Sequence, residues 1–234
     1  MPATLSIVSD FVCPWCYIGK ARLDAARERL GDDVSLTIRF LPFKLNPSMP
    51  EDGMDRADYR IAKFGSLEKS NELDAQVRQA AEESGLTIHH DRMMRTPNTV
   101  KAHMLMAMAA SLKAPDGDAG DVAERLAGLL FTAYFVDGQD IGESDVLRAL
   151  GQKVGIPDAI IDGALEDATL RQATEKLADD LATQGISGVP SLLLDQHFLV
   201  SGAVPANDLV RILPQALAIL EKAATENTGT QPNG

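Results

Sequence analysis

The sequence predicts an α/β fold interrupted by a large all-helical insertion, and three observations carry that prediction. A β-α-β pattern opens the chain, an α-β-β-α pattern closes it, and about 110 residues between them show helical periodicity alone. With 45% hydrophobic residues over 234 positions, the chain can bury a substantial core without disulfide staples.

Thr4 to Ser9 alternates polar and apolar residues, with Val8 breaking the pattern, as suits a short and largely buried strand. From Pro14 the apolar positions Ile18, Leu23, Ala26 and Leu30 recur at helical spacing until Gly31 stops the segment. Val34 to Phe43, rich in β-branched and aromatic residues, reads as a second strand. Beyond Pro47 and Pro50, helices are predicted near 55–64, 69–84, 97–113, 119–136, 144–154 and 158–164. Leu73, Val77 and Ala81 form one apolar stripe, and Val122, Leu126, Leu129, Leu130 and Ala133 another. A helix over 167–184 carries Leu170, Ala173, Leu177 and Leu181 on one face and ends at Gly185.

Two short apolar runs follow, Ser191 to Leu194 and Phe198 to Val200, separated by Asp195-Gln196-His197 in the pattern of a tight hairpin. A last helix spans Pro205 to Ala224, with Pro214 expected to bend it or to mark a later start. Segments 1–50 and 166–224 thus assemble a thioredoxin-like unit, 51–165 is the helical insertion, and the polar tail 225–234 is expected to be disordered.

The formal net charge of -12, from 22 Lys and Arg against 34 Asp and Glu, argues against nucleic acid and anionic membranes as partners. The N-terminus shows no basic leader followed by an apolar run, and no stretch approaches a membrane span, so a cytoplasmic location is expected.

The chain has two cysteines, Cys13 and Cys16, in Cys13-Pro14-Trp15-Cys16. Random placement would give this spacing only about 1% of the time, so the pair calls for a chemical reason. It falls where the first strand gives way to the first helix, and the unpaired amides and positive dipole end there favour a thiolate at Cys13, the expected nucleophile. Cys16, one turn on and deeper, is the expected resolving cysteine. Pro14 suits a first helical turn, and Trp15 would set a flat apolar face beside the sulfur. The bland alternatives are a zinc half-site and two inert core thiols. His89, His90, His103 and His197 show no ligand spacing, so no metal is expected, and inert thiols have no reason to adopt this spacing at such a junction. A second element, Gly185-Ile186-Ser187-Gly188-Val189-Pro190-Ser191, is a turn-rich approach to a strand, where a proline is ordinarily trans and merely sets the chain direction.

Taken together, Ser9 to Lys20, Pro97-Asn98-Thr99 with Ala102-His103, Gly188-Val189-Pro190 and Val200-Ser201-Gly202-Ala203 resemble the FrnE-like branch of the DsbA thiol-disulfide oxidoreductase family, over residues 4 to about 220. The resemblance implies that Cys13 is the nucleophile, that Pro190 is cis beside it, and that a helical domain separates the two halves of a thioredoxin fold. The family is also similar to the glutathione-dependent 2-hydroxychromene-2-carboxylate isomerases, in which a serine stands at the position of Cys13. The intact cysteine pair places this chain on the redox side.

Other candidates read two ways. Asn98 is either a helix N-cap after Pro97 or a substrate-binding residue on the rim of a cleft containing Trp15. Asp10 is either a proton acceptor for Cys16 or a turn acid capping the first helix. His103 is a substrate-site candidate whose apolar neighbours favour packing, and Met104, Met106 and Met108 read first as core filling. The backbone of Val189 is expected to pair with an extended substrate segment.

The leading function is disulfide exchange with protein or small-molecule thiols, with no tightly bound cofactor beyond the redox-active Cys13 and Cys16 pair and with glutathione as a candidate co-substrate. One rival is a glutathione-dependent isomerase or transferase acting on a small aromatic substrate, since the insertion is large enough to enclose a pocket. The other is a chaperone-like binding module whose cysteines are incidental. A monomer and a homodimer are both compatible with the sequence.

Overall fold

The computed structural model describes residues 3–31, 34–112 and 119–228. Its main sheet has four strands: β1 (Ala3–Ser9), β2 (Leu36–Pro42), β5 (Ser191–Leu194) and β6 (His197–Ser201), in the order β2-β1-β5-β6. β1 runs parallel to β2, with Leu5 opposite Ile38 and Ile7 opposite Phe40, and antiparallel to β5, with Leu5 opposite Leu194 and Ile7 opposite Leu192. Val8 breaks the sequence alternation because β1 is covered on both sides. Leu5 and Ile7 pack with Leu23 and Ala26 of α1 (Pro14–Leu30) and with Leu209 and Leu213 of α9 (Ala206–Thr228). Val8 packs instead with Ile186 and with Leu181 of α8 (Ala168–Thr183).

β3 (Met54–Asp55) and β4 (Arg95–Thr96) form a two-stranded antiparallel ribbon that the sequence did not announce, because two residues carry no periodicity. Between β2 and α8 lie α2 (Arg56–Phe64), α3 (Leu67–Glu82), α4 (Val100–Ser111), α5 (Ala119–Phe135), α6 (Ser144–Lys153) and α7 (Asp158–Glu166). α4 starts at Val100 rather than 97, since the Asn98 side-chain oxygen already takes the Val100 amide. The final hairpin turns on Asp195 and Gln196 alone, both at positive φ, and His197 belongs to β6. Asp195 ties the turn to the sheet: it donates its amide to the Thr4 carbonyl at 2.9 Å and accepts the Thr4 amide on its carboxylate at 2.8 Å.

The apolar face expected on α8 is rotated. Thr174, Ala178 and Leu181 are its buried residues, while Leu177 is exposed and lines, with Leu170 and Ala173, a groove against α4 and β2. α9 passes through Pro214 and continues to Thr228, into the first positions of the tail expected to be disordered; residues 229–234 lie outside the described residues.

A single buried cluster joins the two halves of the architecture. It runs from Phe11, Cys13, Cys16 and Ile18 at the head of α1 to Leu105 of α4 and Leu126, Leu130 and Phe131 of α5. Phe131 sits at its centre, 5.1 Å from the Phe11 ring and stacked on Tyr17 at 5.5 Å. Phe131→Ala should therefore lower stability by about 3–5 kcal/mol, because the surrounding rings cannot collapse into the void. Urea unfolding followed by circular dichroism checks this, and a loss under about 1 kcal/mol would mean that the two halves do not share that core.

Candidate active site

Cys13 is the N-cap of α1, with extended backbone at φ -87° and ψ 112° and with Pro14 in the first turn. The Asp10 carbonyl accepts the Cys13 amide, and the Cys13 carbonyl accepts the Cys16 and Tyr17 amides, so the strand turns into the helix within three residues of Asp10. No side chain caps this end, so the Cys13 sulfur stands at the positive end of the α1 dipole. Both cysteines are free thiols.

Their surroundings differ. Cys13 lines a cavity of about 410 Å³, and its thiol donates to the Val189 carbonyl at 3.7 Å. Cys16 points inward and is 2% exposed. Burial pushes the Cys16 thiol well above its ordinary range, and the neighbouring Cys13 sulfur pushes it the same way, while the Ser9 hydroxyl and the Asp10 backbone act in the opposite direction.

The Val189–Pro190 peptide bond is cis, and Pro190 is seated on α1. A Cβ on Gly19 would stand 2.8 Å from the Pro190 ring, so only glycine at that turn of α1 allows the loop to come this close. Ser191 closes the loop, its hydroxyl donating to the Gly188 carbonyl at 2.8 Å, and the Gly202 amide reaches the Pro190 carbonyl at 2.7 Å. Trp15, 40% exposed, and the backbone at Gly188 and Val189 join Cys13 on the cavity wall.

The remaining candidates sit elsewhere. Asn98 donates its amide to the Met49 carbonyl and accepts the Val100 amide, both at 3.0 Å, and it lines a separate polar hollow beside the cavity of Trp15. It braces the start of α4 and is not on the rim that was expected, because both ends of its amide are spent on backbone. Asp10 is 1% exposed, and its carboxylate accepts the Leu45 amide at 2.7 Å and the Val12 amide at 3.4 Å, fastening the β1–α1 turn to the segment after β2. It therefore caps neither α1 nor serves Cys16 by a side-chain hydrogen bond. His103 is buried against Phe11, with its Nε2 3.2 Å from the Phe43 carbonyl and 3.7 Å from Asp10, and it faces the groove on the far side of the sheet edge. Met104 and Met106 are buried as core filling.

The far wall of the cavity comes from the insertion and was missed in the sequence. Arg56, Tyr59, Arg60 and Lys63 of α2 line it together with Asp74 of α3 and His90. Arg56 and Arg60 both pair with the buried Asp74, at 2.7 and 2.6 Å. The signal was present: within 56–63 three cations and a tyrosine recur three and four apart in a chain otherwise dominated by acids. Burial lowers the His90 imidazole to about 4; Asp74 pulls it upward, and Arg56, Arg78 and Arg60 push it down. Among the described residues no group of three His, Cys, Asp or Glu is placed to hold a metal ion, and no helix is long and apolar enough to cross a membrane.

A cysteine pair at the head of the first helix, beside a proline loop at the start of β5, on a sheet interrupted by helices, defines a thioredoxin-fold protein with a helical insertion. Residues 4–213 match the DSBA-like thioredoxin domain, and the chain belongs to that family. An uncharacterized protein of Bacillus subtilis, YwbO, is 26% identical over 204 residues, which is 87% of this chain and 92% of that protein. The crystal structure of a probable DsbA oxidoreductase from Streptomyces coelicolor superposes with a TM-score of 0.79 at 26% identity, covering 92% of this chain and 90% of that one. The cytosolic disulfide reductase DsbM from Pseudomonas aeruginosa, solved with GSH, shares the fold with a TM-score of 0.60 at 18% identity, covering 95% and 99%. These neighbours agree with the FrnE-like branch of the family.

Two predictions follow from the packing and charge of this site. Gly19→Ala should cost about 1–3 kcal/mol and slow disulfide exchange, because the added methyl displaces Pro190 and with it the Val189 carbonyl from Cys13. Stability and exchange rate measured on one preparation test it, and an unchanged rate would detach the loop from the chemistry.

For His90 the sign is fixed by the direction of its shift. The unfolded chain takes up the proton near pH 6.5 and the folded chain only near 4, so stability is whole above the first value and falls as pH drops between them. His90→Gln should flatten that acid loss. Urea midpoints from about pH 7 to about pH 4.5 read it directly, and parallel curves for the two proteins would refute the assignment.

Proposed function

We propose that the protein is a thiol-disulfide oxidoreductase in which Cys13 attacks and Cys16 resolves. The observation that carries this reading is the asymmetry of the pair: the Cys13 sulfur lines a cavity beside the Val189 carbonyl, and the Cys16 thiol is buried behind it and held protonated. In the first step Cys13 thiolate displaces one sulfur of a substrate disulfide and forms a mixed disulfide. Cys16 then loses its proton, attacks the Cys13 sulfur and releases the second substrate thiol, leaving a Cys13–Cys16 disulfide. The reverse sequence oxidises a dithiol. The high proton affinity of Cys16 keeps it out of the first step, so that it acts only when a mixed disulfide stands one turn away.

The substrates on this reading are protein or small-molecule thiols and disulfides. Glutathione is a co-substrate candidate, supported by the fold shared with a disulfide reductase solved with GSH. A cytoplasmic site of action goes with the same reading. The backbone of Val189 offers an edge on which an extended peptide segment could lie. A cavity of about 410 Å³ also gives some support to the glutathione-dependent isomerase reading, and chromatography of glutathione with a chromene carboxylate tests that directly. The presence of cysteine at position 13 favours the redox reading.

Iodoacetamide should label Cys13 faster than Cys16 near neutral pH by about tenfold or more. Cys16→Ala should accumulate mixed disulfides on Cys13, and Cys13→Ser should abolish turnover. Peptide mass mapping after timed alkylation decides the first point. Faster labelling of Cys16 would reverse the roles, and full turnover in Cys13→Ser would end the proposal.

A further inference from the structure

The cavity in front of Cys13 carries the opposite charge to the chain that builds it. The protein has a formal net charge of -12, yet Arg56, Arg60 and Lys63 line this cavity against the single carboxylate of Asp74. Asp74 is shared by two guanidiniums, so one positive charge of that trio is left over. Lys63 adds another. Its ammonium donates to the Asn46 side-chain oxygen at 2.8 Å and to the Tyr59 hydroxyl at 2.7 Å, and among the described residues no carboxylate lies within ion-pair distance of it.

Unpartnered polar atoms on the same wall point to a ligand as well. The Tyr59 hydroxyl donates to the Asn46 oxygen at 2.7 Å, which orients that amide, and the Asn46 nitrogen has no partner among the described residues. The second ring nitrogen of His90 is likewise buried and unpartnered, while its Nε2 stands 3.5 Å from Asp74. Unsatisfied buried polar atoms are uncommon in folded proteins, and two on one cavity wall are best explained by a polar guest. The cavity is also lined by Trp15, Val77 and Phe64, whose ring the Arg60 guanidinium covers at 4.4 Å. A cleft that is cationic at one end and apolar along its sides suits a small molecule with an anionic group set back from its sulfur.

Resting on the oxidoreductase reading above, we propose that the cavity selects small disulfides that carry a carboxylate or similar anion, with Lys63, Arg56 and Arg60 reading the anion while Cys13 works on the sulfur. In the half-reaction, Cys13 thiolate breaks the S–S bond of RS–SR, forms Cys13–S–S–R and releases one RS⁻. Cys16, its proton passing to solvent, breaks that mixed disulfide and releases the second RS⁻. Two electrons move from the cysteine pair to the substrate. A dithiol reductant restores the pair in a separate half-reaction, so selection is measured in a single turnover of the reduced protein.

The experiment compares three aliphatic disulfides of similar size: the dianion dithiodipropionate, neutral bis(hydroxyethyl) disulfide and dicationic cystamine. Each single-turnover rate is divided by the rate of free dithiothreitol with the same probe, which removes the intrinsic reactivity of the disulfide. The dianion should exceed the neutral probe by about tenfold, with cystamine slowest, the reverse of what the net charge of the chain would impose. Lys63→Gln and Arg56→Gln should each cut the ratio of the dianion rate to the neutral rate severalfold. Lys63 is exposed and pairs with no acid among the described residues, so its variant tests the proposal even if Arg56→Gln disturbs the partner of Asp74. Equal rates for the three probes, or an advantage untouched by both variants, would overturn the selection while leaving the redox reading intact. A reduced protein that reacts with none of the probes would remove the redox reading and this one with it.

Discussion

The junction of β1 and α1 is the constraint from which the rest of the site follows. Cys13 must end a strand and begin a helix at once, and this happens only because Asp10 holds the turn from both sides, through its carbonyl to the Cys13 amide and its carboxylate to the Leu45 amide. The sheet then brings β5 alongside β1, and Gly19 allows Pro190 to sit directly on the first turns of α1. A carbonyl 176 residues away in sequence thereby meets the Cys13 sulfur. Loosening any of these three contacts would leave the cysteines in place chemically and remove the surroundings that tell them apart.

The insertion is part of this arrangement. Its helices α4 and α5 contribute to the same buried cluster as Phe11, Cys16 and Ile18, so the floor of the site and the insertion are one packed body. That shared core carries α2 and α3 to the opposite side of the cavity. There two arginines share one buried aspartate, Arg56 at 2.7 Å and Arg60 at 2.6 Å. Asp74 thus fixes Arg56 and Arg60 on the wall of the cavity that Cys13 also lines.

Much of the fold was legible because it is written in periodicities. The strand before the cysteines, the amphipathic stripes of α3 and α5 and the closing hairpin all follow from apolar spacing and turn residues. The failures have particular causes. Leu177 and Ala173 were read onto one apolar face of α8, but a stripe says only that a face is apolar, and here that face borders a groove instead of a filled core. The β3–β4 ribbon is too short to leave a pattern. Asn98 was left between a helix cap and a rim residue, and its two hydrogen bonds to Met49 and Val100, the first of them a tertiary matter, set it at the start of α4.

By itself the sequence determined the local chemistry: a strand-helix junction, two thiols one turn apart, a proline at the head of a strand, and the helices of the insertion. These depend on residues within a few positions of one another, where spacing and backbone preference suffice. Only the tertiary structure decided that of two buried sulfurs it is the one of Cys13 that lines the cavity, that Val189 stands over Cys13, and that Arg56, Arg60 and Lys63 line the same cavity from another element. Burial and electrostatic surroundings are sums over neighbours brought together by packing, and those neighbours lie tens to hundreds of residues apart along the chain.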